Sequence, residues 1–108
     1  MPNLTFTIVE EKDSPNPGTS LIFHYKVNNS SKINSINVLS DIDIKGIDYQ
    51  YATFMVDCLF TGLIKYIQNY WNVKHKLPEE MHFIDVRKHR HFFDSTQPTA
   101  FGNYILKL

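Results

Sequence analysis

Between Asp48 and Asn72 the chain carries a helical pattern whose polar side is too thin for an ordinary surface helix. Gln50, Thr53, Asp57, Thr61, Lys65, Gln68 and Asn72 recur every three or four residues and make one narrow stripe. Almost everything else from Ala52 to Trp71 is apolar, including Phe54, Met55, Val56, Cys58, Leu59, Phe60, Leu63, Ile64 and Ile67. A surface helix of a globular domain buries an arc of roughly 100° or somewhat more, so this one needs cover on two sides. A sheet supplies one of them. The other has to come from the C-terminal segment, from a second copy of the chain or from a different protein. Gly62, in the middle, costs about 1 kcal/mol against alanine, which points to close approach of another backbone and makes a homodimer through this flank one candidate.

The segments around the helix alternate with the period of strands. Leu4, Phe6 and Ile8 fall on one side of the first, with Thr5, Thr7 and Val9 on the other. "KDSPNPGT" is a loop by its prolines, glycine and small polar residues. In "SLIFHYKV", Leu21, Phe23, Tyr25 and Val27 alternate with Ile22, His24 and Lys26, and after the turn "NNSSK" Ile36, Val38, Ile42 and Ile44 alternate with Asn37, Asp41 and Asp43. Short polar turns favour antiparallel pairing, because parallel neighbours need long crossovers. Asp48 caps the helix by accepting from a free amide of its first turn. "MHFIDV" and "NYILKL" read as a fourth and a fifth strand. The expected fold is a single α+β domain over residues 1–108, ordered β-β-β-α-β-β, with one long helix across one face of an antiparallel sheet of about five strands.

Composition excludes several classes of function. With 43% hydrophobic and 14% aromatic residues in 108, the chain has enough apolar surface for one core without staples. Cys58 is the only cysteine, which rules out an intrachain disulfide and fits a reducing cytosol. The N-terminus lacks the basic and apolar regions of a secretory signal, and Asp57 and Lys65 interrupt the longest apolar stretch, so a soluble cytoplasmic protein with no membrane contact is expected. Zero net charge argues against a general nucleic-acid binder. The charge is nevertheless split: residues 1–64 hold four Lys against seven acids, and residues 65–108 hold seven Lys or Arg against four.

Three groups of side chains are candidates for chemistry. "RKHRH", from Arg87 to His91, is basic and aromatic-flanked: Arg87, Lys88, His89, Arg90 and His91 form a candidate anion-binding set beside Phe92 and Phe93. The blander reading, a solvated strand rim, is the one expected. His89 and His91 lie two apart on a strand, but His24, His75 and His82 stand at no zinc-ligand spacing, so no metal is expected. His24 with Lys26 could meet His89 or His91 and perform acid–base chemistry on a phosphodiester. Asp41, Asp43 and Asp48 form an acidic set that lacks the glycine and distal glutamate of a calcium loop. Phosphate-cradling glycine motifs and a nucleophile elbow are absent from the sequence, so no cofactor is expected.

These features together describe a protein that binds another protein. The chain is rich in Ile, Asn and Lys and has only two alanines, which points to AT-rich bacterial or mobile-element coding. In kind, though by no residue motif, it resembles the small bacterial inhibitors, such as immunity proteins that neutralise a cognate toxin. On that reading Asp41, Asp43 and Asp48 meet a basic substrate groove, plausibly of a nuclease, and Tyr49, Tyr51 and Trp71 act as anchors. The alternative is a small metal-independent phosphodiesterase or RNA-binding protein using His24, His89 and His91.

Overall fold

The computed structural model describes residues 2–12, 18–41, 48–82, 100 and 103–108. Strands β1 (Asn3–Lys12), β2 (Thr19–Val27) and β3 (Asn34–Ser40) precede helix α1 (Tyr49–Lys74), and β4 (Glu80–His82) and β5 (Tyr104–Lys107) follow it. The predicted element order holds, and the fold is α+β. Ile42, Ile44, Asp43, the residues from Phe83 to Thr99, and hence the whole of "RKHRH", lie outside the described residues.

The sheet is mixed, where an antiparallel one was expected. Its order is β4-β3-β2-β1-β5, and it curls into a half-barrel. β1, β2, β3 and β5 pair antiparallel, but β3 and β4 run parallel, with Val38 opposite Met81. The physical reason is the helix itself. Short turns force antiparallel neighbours only where they connect the strands, and α1 is long enough to carry the chain back to the end of the sheet from which β3 set out. β5 then crosses to the far edge, where Leu106 faces Leu4 and Tyr104 faces Phe6.

A bulge in β1 overturns part of the expected alternation. Phe6 is opposite Tyr25 and Ile8 is opposite His24, so Thr7 is an extra residue in the ladder. From there the faces exchange. Val9, opposite the buried Phe23, packs on the core in place of Ile8, which is 60% exposed on the outer face.

Two residues with positive φ mark the ends of β2. Asn28 takes a left-handed φ of 54°, which asparagine tolerates better than most residues. There its amide donates to the Asn3 carbonyl at 2.7 Å and its Oδ1 accepts from the Asn3 amide at 3.0 Å, tying the β2–β3 turn to the start of β1. Gly18 enters β2 with φ 127°, and a Cβ there would strike the Ser40 carbonyl oxygen.

α1 begins where Asp48 Oδ1 accepts from the Gln50 amide at 3.0 Å, and ends at His75, whose left-handed residue donates its amide to the Trp71 carbonyl. Phe60 is its central contact with the sheet. Its ring stands edge-on to Phe6 and Tyr104 and stacks on Phe23, with centroids 5.1, 5.5 and 5.3 Å away. Leu59, Leu63, Ile64 and Ile67 extend the same core.

At about 100° per residue, Cys58 and Gly62 point away from the side that Phe60 turns to the sheet. Both are buried as well, as are Met55 and Thr61. The middle of the helix is therefore covered on every side within the chain. On the flank of the helix next to Phe60, Asp57 Oδ1 accepts from the Ala100 amide at 2.7 Å. Among the described residues no helix is long and apolar enough to cross a membrane.

Candidate functional site

With its centre enclosed, α1 leaves large apolar side chains uncovered mainly in its first turns. Tyr49 is 81% exposed, Tyr51 56% and Phe54 45%. Tyr51 and Phe54 are three residues apart, hence neighbours on one helix face, and their rings lie 6.4 Å apart at 39°. Thr53, on the Tyr49 side of the helix, turns its hydroxyl back to the Tyr49 carbonyl at 2.9 Å. Asp48 sits at the tip of this face, exposed, with one carboxylate oxygen occupied by the cap. The result is a small aromatic surface beside a negative charge.

The expected partner-binding set is not gathered in one place. Asp48, Tyr49 and Tyr51 all lie at the start of α1, but Tyr49 and Tyr51 are two residues apart and project about 160° from one another around the helix. The neighbour that shares the Tyr51 face is Phe54, which residue type alone did not single out. Asp41 is exposed one residue beyond β3, and Asp43 lies outside the described residues. Trp71 is elsewhere. Twenty-two residues at 1.5 Å each put it about 33 Å from Tyr49 along the helix, half-buried, with its ring edge-on to His75 at 6.4 Å. There it borders a cleft of about 300 Å³ shared with Gln68 and Lys107.

The histidines occupy separate stations. His24 is on the outer face of β2, where its Nε2 meets Glu10 Oε2 of β1 at 2.6 Å, and Lys26 is the next residue on that face. His82 Nε2 meets Glu80 Oε1 at 2.8 Å on β4. His75 is the helix cap. His89 and His91, which the phosphodiesterase alternative requires beside His24, lie outside the described residues, and among the described residues no three metal-ligating side chains cluster.

Cys58 is fully buried, and burial, then the neighbouring Asp57 charge, pushes its thiol up to about 11. A thiol held in its protonated form is a packing group, not a nucleophile. Tyr25, on the core face of β2, is also raised, by burial and then by the charge of Glu79.

No family model, curated protein or solved structure matched the chain.

Proposed function

We propose that this chain works by binding a protein, and that it is an immunity-type inhibitor which occludes the active site of a cognate toxin with a basic substrate groove. The observation that carries the reading is the exposed aromatic start of α1. Tyrosine and phenylalanine offer large contact area at low entropic cost, and binding energy in protein interfaces concentrates on such side chains. Asp41 and Asp48 add negative charge near the end of β3 and the start of α1, which would steer a basic groove toward the aromatic anchors.

The test is binding to the product of the gene adjacent to its own, measured by calorimetry and by inhibition of that product's activity. Tyr49→Ala with Tyr51→Ala should weaken the complex by more than tenfold, and Asp48→Asn with Asp41→Asn should flatten its salt dependence. Unchanged affinity in both double variants removes this surface from the interface.

A second reading rests on the His24–Glu10 contact, in which a carboxylate holds an imidazole beside Lys26, the arrangement of an oriented acid–base group. Turnover of RNA by the pure protein, abolished by His24→Ala, would establish this reading in place of the first.

A further inference from the structure

At the opposite end of α1 from the exposed tyrosines, the chain leads through residues 75–79 into the edge strand β4. Leu77 packs on the core, Pro78 is buried, and the Glu79 carbonyl accepts from the Asn37 amide at 3.0 Å. These contacts fix the backbone at Glu79, which borders a cleft of about 580 Å³ walled by Tyr25, Asn34, Ser35, Leu77 and Pro78.

One residue of the cleft is buried without a partner for its polar group, and an exposed carboxylate stands beside it. Tyr25 is only 5% exposed, yet its hydroxyl has no hydrogen-bond partner among the described residues. Buried hydroxyls nearly always have one, because leaving the group unmade forfeits its solvation. Glu79 is a carboxylate without an ion pair among the described residues. The two groups border the same space, and the Glu79 charge acts on the Tyr25 hydroxyl. Across the Leu77–Glu79 wall lies a cleft of about 410 Å³, but there Lys76 accompanies Glu79 and Glu80, and Lys74 already sits 5.6 Å over the Tyr70 ring. Among the described residues, no cation lines the Tyr25 side.

We propose that the cleft between Tyr25 and Glu79 is a binding site for a guanidinium group, such as an arginine side chain of a ligand. A guanidinium presents five N–H donors in a flat fork, so it can pair with the carboxylate and donate to the Tyr25 oxygen at the same time. Asn34, opposite Tyr25 on β3, has an amide oxygen that is a further acceptor at the rim, and Leu77 and Pro78 give the methylene stem an apolar wall. An ammonium has three donors around a point and meets fewer of these acceptors together. The site is independent of the aromatic helix start.

The experiment is a titration of the whole isotope-labelled chain with Nα-acetyl-arginine methylamide, followed by amide chemical shifts, with the lysine analogue in parallel. Saturating shifts at Tyr25, Asn34, Ser35 and Glu79 in the millimolar range, at least several-fold weaker for lysine, are expected. Glu79→Gln should abolish them and Tyr25→Phe should weaken them several-fold, each with the remaining spectrum unchanged. Absence of saturating shifts, equal binding of the lysine analogue, or unaltered binding in Glu79→Gln would each overturn the proposal. Tyr25→Phe removes only an unpaired hydroxyl, so it keeps the test open if the other variant perturbs the fold.

Discussion

Phe60 of the helix lies flat on Phe23 of the central strand, with ring centroids 5.3 Å apart and planes within 19°. Phe6 of β1 and Tyr104 of β5 meet it edge-to-face. One side chain thus joins the helix to three strands. Phe60→Ala should cost about 3–5 kcal/mol and Phe60→Leu distinctly less, since most of the volume stays while the ring geometry goes. Urea unfolding of the two variants measures both, and a loss below about 1 kcal/mol for alanine would contradict the packing.

Gly18 combines a positive φ with a backbone carbonyl where a side chain would begin. Gly18→Ala is therefore expected to destabilise by roughly 1–3 kcal/mol. Its thermal midpoint, compared with that of an alanine at the exposed Asn29, isolates the effect from any general cost of substitution.

Alkaline pH should weaken the fold through Cys58. The folded thiol holds its proton up to about 11, against an ordinary value of 9.0. Between those values the unfolded chain binds fewer protons than the folded one, so stability falls as pH rises through this window. The loss is on the order of 2 kcal/mol once the folded thiol titrates. Cys58→Ala should flatten this part of the stability profile, and in the native wild type the thiol should react with a disulfide reagent only as fast as the chain opens.

Asp57 holds the Ala100 amide, 43 residues away in sequence, at 2.7 Å. Asp57→Ala strands that donor and should cost about 1–3 kcal/mol, whereas Asp57→Asn keeps an acceptor and should cost less. Because the Asp57 charge also raises the Cys58 thiol, Asp57→Asn should lower the pH at which that thiol titrates. Hydrogen exchange at the Ala100 amide and thiol titration read the two effects separately.

The helix was legible because its cap, its polar stripe and its length agree, and its end is displaced only from Asn72 to Lys74. The strands were legible as strands from their alternation. Their partners were not, since the pattern on β4 is the same whether it joins β3 parallel or antiparallel, and only the reach of the intervening helix distinguishes the two. The exchange of Ile8 for Val9 escaped for a related reason: a bulge at Thr7 leaves no mark in a short row of Thr, Ile and Val. The candidate site shows a different limit. Trp71 was joined to Tyr49 and Tyr51 by residue type, although helical rise alone separates them. Phe54, three residues from Tyr51, was the neighbour that spacing implied. The apolar arc demands cover on two sides, and the middle of α1 meets that demand within the chain itself, leaving its first turns and Val73 near its end uncovered.

The pairing of β5 with β1 has a consequence for the order in which the protein is made. Strands one to three emerge first and can zip together as soon as they leave the ribosome, but the free edge of the leading strand waits for a partner translated nearly a hundred codons later. Pairings so remote in sequence form slowly. For that interval the nascent sheet offers Leu4 and Phe6 on an open margin, until Leu106 and Tyr104 arrive to shut it.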